Sequence, residues 1–125
     1  MPKARASALP VRRSVCPIAC SMDIFGDRWS LLVVRDLLLG RERFKEFAAG
    51  PEGIPTNILS ERLERLREHG IVELTAATDG SRHPAYRLTA KGRALGPVLR
   101  TIRDWGLKWE KGTKVLLAPA VGTGR

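Results

Sequence analysis

The segment RFKEFAAGPEGIPTNILSERLERLREHGIVELTAATDGSRHPAYRLT, residues 43–89, decides the fold. It begins with a short helix marked by two phenylalanines and passes through the glycine and proline turn at 51–55 into a longer amphipathic helix. Strand-forming residues then lie on each side of Asp79-Gly80, a dipeptide typical of β-hairpins. Helix, turn, helix and hairpin together predict a winged helix-turn-helix, in which the second helix enters the DNA major groove.

The helix predicted from residue 56 to residue 69 supplies the base-reading surface. Leu59, Leu63 and Leu66 form an apolar stripe that must face the core. Side chains on the early or outward part of such a helix reach base edges, where asparagine can pair with adenine through two hydrogen bonds. The predicted base contacts are Thr56, Asn57, Ser60, Glu61 and Arg65. The alternative is that these residues form an ordinary solvated face.

Basic residues beside this helix are candidates for phosphate contacts. Arg43 and Lys45 lie at the turn before the short helix, and Arg82 lies at the tip of the predicted wing, so each can clamp a phosphate. The alternative is that each of these basic side chains contacts only solvent. Arg62 lies beside the apolar stripe, and we expect its stem to pack there while its guanidinium pairs with a carboxylate.

Two further helices are predicted before this segment. Cys16-Pro17 predicts a helix start, because a proline at the first helical position loses no needed N–H group, and this helix ends near Gly26. Asp27 can then accept hydrogen bonds from the first turn of a second helix. Residues 29–39 are apolar on nearly every side of that helix, so we expect it at the centre of the core.

A last helical region follows the hairpin. Thr89 is predicted to cap it, and Pro97 is predicted to kink it or divide it in two. One face carries an apolar stripe larger than a chain of this size normally leaves exposed, so we predict a homodimer. The predicted dimer contacts are Leu99, Ile102, Trp105 and Trp109. The alternative is that the stripe closes the chain's own core, and both uses can coexist.

The composition favours one domain with a polyanionic partner. The chain has 125 residues, 43% of them hydrophobic, which suffices for a single core over residues 14–111 with a mobile basic arm at 1–13 and a mobile tail at 112–125. The net charge of +9 favours nucleic acid, yet residues 41–70 carry six charges of each sign, so the reading helix is nearly neutral. No apolar run is long enough to cross a bilayer, and we predict a cytoplasmic protein.

Cys16 is predicted to be a chemical switch. It occupies the cap of the first helix, where free N–H groups and the helix dipole stabilise a thiolate, and Arg12 and Arg13 add positive charge, so we expect a lowered thiol pKa. The alternative is a small core residue. Cys20 lies one turn further on and is expected to pack inward, with an intramolecular pair or half of a metal site left open.

An enzymatic function has no support in the sequence. His69 ends a helix and His83 lies in the wing, and neither has a second histidine or a carboxylate at ligand spacing. The chain also lacks a glycine-rich motif that cradles phosphate. We therefore predict no catalytic residue, no metal and no cofactor.

Nine short motifs, in order and at fitting spacings, carry a family resemblance over residues 16–105. They are Cys16-Pro17, Gly26-Asp27-Arg28-Trp29, Leu37-Leu38-Leu39-Gly40, Arg43-Phe44, Gly53-Ile54, Leu59-Ser60-Glu61-Arg62-Leu63, Gly70-Ile71-Val72, Tyr86-Arg87-Leu88-Thr89 and Gly92. On these motifs the chain resembles the HxlR-type regulators, a bacterial winged-helix group related to the MarR proteins.

The resemblance implies a dimeric transcription factor. Such proteins pair through the first and last helices and bind an inverted-repeat operator with one recognition helix in each half-site. Several HxlR-type proteins sense electrophiles or oxidants through a cysteine at the position of Cys16. Three positions depart from the family's usual residues: Pro55 replaces a serine, Leu74 a polar or basic residue, and Ala85 a glutamate. These departures bear on helix capping and wing contacts rather than on the fold.

The sequence therefore predicts a mainly α winged helix-turn-helix with a small β-hairpin, dimerising through its first and last helices. We predict a sequence-specific transcriptional repressor with electrophile or oxidant input through Cys16. The alternative is a winged-helix interaction module that binds protein or RNA without operator specificity.

Overall fold

The computed structural model describes residues 12–77 and 80–116. In chain order its elements are α1 (Pro17–Phe25), α2 (Ser30–Leu38), α3 (Phe44–Ala48), α4 (Thr56–Glu68), β1 (Val72–Thr75), β2 (Ala85–Leu88), α5 (Ala90–Arg93) and α6 (Gly96–Trp109). Most of the predicted arm and tail, and Asp79 of the predicted turn, lie outside the described residues. No helix within the described ranges has the length and apolar character needed to cross a membrane.

The element order is the predicted one, a mainly helical winged helix-turn-helix with a β-hairpin. Cys16 and Gly26 flank α1 as its caps, as predicted. Pro97 lies in the first turn of α6, so it divides the last helical region into α5 and α6. A proline fits there because the N–H groups of a first turn have no partner within the helix.

The hairpin is shorter than predicted. β1 ends at Thr75 rather than at residue 78, and its last partner in the antiparallel register is Ala85. Pro84 comes directly before Ala85 and has no N–H group, so the ladder of hydrogen bonds cannot continue past this pair. Residues 76–77 and 80–84 lie outside the two strands, and we call this segment the wing loop.

The core lies between α2, α4 and the sheet. The predicted central position of α2 and the predicted inward stripe of α4 are both confirmed, because their apolar side chains are buried together. The buried core consists of Val33, Val34 and Leu37 of α2, Phe47 of α3, Leu59, Leu63 and Leu66 of α4, and Ile71, Val72 and Leu88 around the sheet. The outward face of α4 is thereby fixed toward solvent.

A close backbone approach holds α5 against the hairpin. The hydroxyl oxygen of Thr89 accepts the N–H of Gly92 at 3.1 Å, which confirms the predicted cap. Gly92 is buried, and a Cβ atom at this position would lie 2.2 Å from the carbonyl oxygen of Ile71. Only glycine permits this approach, because any other side chain would overlap the backbone of the neighbouring segment.

Asp27 caps α2 and joins it to α4. Its Oδ1 atom accepts the N–H groups of Trp29 and Ser30 at 2.7 and 2.9 Å, and its Oδ2 atom accepts the Ser30 hydroxyl at 2.6 Å. The Nε atom of Arg62 lies 3.1 Å from Asp27 Oδ1, which confirms the expected pairing of Arg62 with a carboxylate. Burial raises the pKa of Asp27, but the hydrogen bonds from Ser30 and Trp29 and the side-chain contact with Arg62 outweigh burial and lower the pKa to about 2.

We expect Asp27→Asn to lower the free energy of unfolding by about 1–2 kcal/mol at neutral pH. The folded-state pKa of about 2 lies below the ordinary value of 3.8, so the carboxylate stabilises the fold above pH 3.8 and this contribution is lost as the pH falls toward 2. The stability difference between wild type and variant should therefore narrow in acid. Urea unfolding of both proteins at neutral pH and in acid measures this difference in the free energy of unfolding.

Asp104→Asn is the matched control, because Asp104 is exposed and pairs only with its neighbour Arg103 among the described residues. We expect its effect to stay within about 0.5 kcal/mol at either pH. A stability loss for Asp27→Asn that does not change with pH would contradict the assigned role of the carboxylate.

Candidate nucleic-acid interface

The helix-turn-helix consists of α3 and α4, joined by residues 49–55. One carboxylate oxygen of Glu46 accepts the N–H groups of Glu42 and Arg43, each at 2.9 Å, and this cap fixes the start of α3. Phe47 anchors the helix in the core. The first helix of the pair is thus held at both its cap and its buried face.

An ion pair fixes the turn before α4 to α2. Arg35 donates to the two carboxylate oxygens of Glu52 at 2.8 and 2.9 Å, a two-point contact that sets both distance and orientation. Arg35 also bonds the buried carboxylate of Asp36 at 3.0 and 3.1 Å. Burial raises the pKa of Asp36 in spite of Arg35. Gly53 completes the turn with a positive φ of 70°.

The outward face of α4 presents four exposed polar side chains in its first half. They are Thr56, Asn57, Ser60 and Glu61, which the structure brings together as the sequence predicts. Glu61 forms an ion pair with Arg62, which offsets the repulsion between its charge and a phosphate. Pro55 occupies the N-cap and provides no side-chain acceptor, so the departure at this position does leave the first turn without a side-chain cap.

Arg65 has a partner within the chain. Its Nη2 atom donates to the carbonyl oxygens of Asp23 and Ile24, at 2.9 and 3.3 Å, at the C-terminal end of α1. An arginine suits this place because the last carbonyls of a helix lack partners within the helix and carry the negative end of its dipole. Arg65 therefore joins α1 to the recognition helix.

The wing is connected to the helix-turn-helix at two points. The N–H of Tyr86 donates to the carbonyl of Glu42 at 2.8 Å, and the Nη2 atom of Arg43 donates to the Ser81 hydroxyl at 2.8 Å. The predicted phosphate contact Arg43 is thus engaged with the wing loop. The other two predicted phosphate contacts, Lys45 and Arg82, are exposed.

The last helix exposes an apolar stripe. Its exposed members, with the exposed fraction of each, are Val98 (41%), Ile102 (48%), Trp105 (59%) and Trp109 (61%). Leu99 differs from the other predicted dimer contacts, because it is half-buried and packs against the chain's own core. On α1, Ile18 and Met22 are also exposed. Both helices predicted to form the dimer therefore carry uncovered apolar side chains.

The two cysteines lie at the start of α1. Cys16 is exposed at the N-cap, and its thiol makes no capping hydrogen bond; the Cys16 N–H instead donates to the Ser14 hydroxyl at 3.0 Å. Cys20 is half-buried, and its thiol donates to the Ser14 carbonyl at 3.2 Å. Both thiols are free. Arg13 bonds Asp23 at 2.6 and 2.9 Å, so its charge is paired within the chain.

Sequence reasoning missed two contributors to this surface. The Arg35 and Glu52 pair and the Ser81 partner of Arg43 have no signature in local spacing. Both contacts join segments that are distant in sequence. A polar residue within a turn before a recognition helix is the one weak signal that could have pointed to Glu52.

The sequence comparisons agree with this geometry. A family model described as HxlR-like helix-turn-helix matches residues 24–114. The HTH-type transcriptional regulator YvaP of Bacillus subtilis is 36% identical over 96 residues, which are 76% of this chain and 89% of YvaP. The HTH-type transcriptional regulator YodB of the same organism is 32% identical over 93 residues, which are 74% of this chain and 83% of YodB.

Solved structures share the fold. PA1607, which is classed as a transcription factor, is 42% identical with a TM-score of 0.75 and covers 91% of this chain and 80% of its own. Reduced YodB is 29% identical with a TM-score of 0.64 over 81% of this chain and 100% of its own. A quinone-bound form of YodB and the oxidised form of the redox regulator HypR have TM-scores of 0.63 and 0.62. With the helix-turn-helix and its wing, these matches establish that the chain belongs to the HxlR family of helix-turn-helix transcriptional regulators.

Proposed function

We propose that the chain is a homodimeric repressor that binds an inverted-repeat operator with one copy of α4 in each half-site. The exposed polar face of α4 carries this proposal, since Asn57 and Ser60 lie where base edges are read. The first-turn N–H groups of α4, which have no side-chain cap, attract a phosphate, and the exposed side chains of Lys45 and Arg82 add positive charge. The protein acts in the cytoplasm, where its DNA lies.

The exposed faces of α1 and α6 supply the dimer contacts of this proposal. Ile102, Trp105 and Trp109 recur on one face of α6, and burying them against a second copy removes a large apolar patch from water. To bind two half-sites one turn of DNA apart, the dimer must hold its two α4 helices about 34–36 Å apart. An inverted repeat in the operator follows from that symmetry.

We expect Asn57→Ala combined with Ser60→Ala to weaken binding to the DNA upstream of the protein's own gene by about ten- to a hundredfold. Binding to a scrambled sequence should change little, because those side chains read bases. Lys45→Ala should instead weaken both complexes and lower the salt slope by about one. Fluorescence anisotropy at two salt concentrations measures the affinities for both DNA sequences and the salt slope of each variant.

Lys111→Ala is the matched control for Lys45→Ala, because Lys111 is an exposed lysine that follows α6 and belongs to neither the helix-turn-helix nor the predicted dimer contacts. We expect it to leave DNA affinity unchanged. Equal affinity of the wild type for the upstream and the scrambled DNA would contradict the operator-binding proposal and favour a module that binds protein or RNA.

The second part of the proposal is that electrophiles or oxidants act through Cys16. Its thiol is exposed at the start of α1, while Arg65 fastens the other end of α1 to the recognition helix. A quinone can add to the Cys16 sulfur: an S–C bond forms, and the thiol proton ends on a ring oxygen of the reduced ring. The relatives YodB and HypR, in quinone-bound and oxidised forms, support this assignment. A modified Cys16 would shift α1 and thereby the spacing of two recognition helices.

We expect Cys16→Ser to keep its operator affinity and to lose the response to quinone or diamide. Cys20→Ser is the matched control and should keep most of the response, because the Cys20 thiol is half-buried and donates to a carbonyl. Operator affinity, measured for each variant before and after treatment with quinone or diamide, reports the response. The mass of the treated protein shows whether it has been modified. A full response in the Cys16→Ser protein would make Cys16 a structural residue.

A further inference from the structure

A groove of about 660 Å³ opens between α2 and α6, and residues 114–116 close one side of it. Its apolar wall is formed by Leu31, Leu32 and Leu38 of α2 and by Leu39, which directly follows that helix. The volume lies within the range of about 300–1,000 Å³ that is typical of sites for small molecules, and such sites are mostly apolar with a few charged groups. The groove lies outside the polar face of α4 and shares no lining residue with it.

The groove and the exposed stripe occupy different sides of α6. Gly96 and Arg100, and likewise Leu99 and Arg103, are four residues apart and line the groove. Val98, Ile102, Trp105 and Trp109 follow each other at helical spacing on the neighbouring side. Ile102 borders both surfaces. Apart from Ile102, the groove residues of α6 therefore lie on a side of the helix that the stripe does not occupy.

The charges at the groove are predominantly positive. Four basic residues line it, Arg35, Arg100, Arg103 and Lys114, against the single carboxylate of Glu52. Arg35 already neutralises Glu52 through two bonds. Arg103 bonds the exposed Asp104 at 2.9 Å, a surface contact that solvent screens strongly. Within the described part of the chain Arg100 and Lys114 make no hydrogen bond or ion pair, so their charges are available to an anion.

We propose that this groove binds a small amphipathic anion, with an aromatic or alkyl body against the leucines and one carboxylate or sulfonate group held by Arg100 and Arg103. The apolar walls supply affinity by removing the body of the ligand from water. The two guanidinium groups supply selectivity, because an arginine can hold an oxyanion through two parallel N–H donors. This site requires neither DNA nor Cys16.

The groove is also connected to the helix-turn-helix. Arg35 and Glu52 both line it, and the same pair fixes the turn before α4 to α2. An anionic group that reaches Arg35 competes with Glu52 for its guanidinium. The occupied groove therefore biases the position of the turn from which the recognition helix starts.

The test uses anilinonaphthalenesulfonate, an aromatic sulfonate whose fluorescence rises in apolar surroundings, with the full-length protein. We expect saturable binding of one probe per chain, displaced by decanoate and not by decanol. Arg100→Glu combined with Arg103→Glu should lower the affinity for the probe by about tenfold or more, because two positive charges that attract the sulfonate become negative charges that repel it. Lys111→Glu is the matched control, since Lys111 is an exposed lysine just after α6 that does not line the groove; the affinity of this variant for the probe should be unchanged.

Three results would overturn the proposal. The first is equal displacement by decanoate and decanol, which would mean that the charge plays no part. The second is a probe affinity that is unchanged in Arg100→Glu with Arg103→Glu while circular dichroism shows both proteins folded. The third is probe binding that disappears as dimers form with rising protein concentration, which would mean that a second copy fills the groove.

Discussion

Replacing Ile102 and Trp105 together by glutamate is expected to convert the proposed dimer into monomers. Both side chains lie on the exposed stripe of α6, with 48% and 59% of their surface accessible in the single chain. Buried aromatic and aliphatic anchors at an interface contribute about 2–4 kcal/mol each, so the dimer dissociation constant should rise by several orders of magnitude. The two introduced glutamates of each copy would also face those of the second copy, and the repulsion between them weakens the dimer further.

The affinity for operator DNA should fall when the dimer dissociates into monomers. Two linked recognition helices bind more tightly than one by a factor of about 10²–10⁴, and a monomer loses this gain. Sedimentation velocity and DNA titration on the same samples measure both effects. Because the replaced side chains are already exposed in the single chain, the helical circular dichroism signal should remain.

Leu107→Glu is the matched control for this experiment. Leu107 is an exposed leucine on α6 that lies neither among the stripe residues nor in the groove lining. We expect it to leave the sedimentation coefficient unchanged. A double variant at Ile102 and Trp105 that still sediments as a dimer would show that another surface joins the two copies.

Gly92→Ala is expected to cause a large loss of stability through a single added methyl group. The new Cβ atom would lie 2.2 Å from the Ile71 carbonyl oxygen and 2.9 Å from the Cδ2 atom of Leu88. The Leu88 atom belongs to a side chain and can adjust, whereas the Ile71 carbonyl also accepts the N–H of Thr89 at 3.0 Å and is fixed. We expect a loss of about 2–4 kcal/mol.

Thermal unfolding measures this loss directly. For a domain of this size each kcal/mol corresponds to about 4–8 °C in the melting temperature. Gly106→Ala is the matched control, because no atom lies within 4 Å of its added Cβ and the residue is inside α6. Alanine is the better helix former, so that variant should gain up to about 1 kcal/mol. Equal melting temperatures for the two variants would contradict the close approach at Gly92.

The sequence predicted the elements better than the contacts between them. Local rules sufficed for Asp27 as the cap of α2, for the role of Pro97 and for the inward face of α4, because caps, proline geometry and helical spacing depend on neighbouring residues. Strand propensity alone extended β1 too far. The missing N–H group of Pro84, which comes directly before β2, limits the actual length of β1.

The same local rules predicted which side chains of the candidate site are exposed, but not which partners they contact. Helical spacing placed Asn57 and Ser60 on the surface, since that face follows from the buried leucines. It also placed Arg65 among the base contacts, although Arg65 bonds carbonyls at the end of α1 that are 41 and 42 residues away in sequence. Which partner a long side chain takes depends on how the elements pack, and no local pattern encodes that.

The two connections between wing and helix-turn-helix have a consequence for the entropy of binding. Because Tyr86 holds the Glu42 backbone and Arg43 holds Ser81, the wing and the recognition helix share one orientation before any DNA arrives. The conformational freedom that a loose hairpin would lose in the complex is instead lost when the chain folds. Each contact made by the wing therefore contributes more of its strength to affinity than the same contact would on an untethered loop.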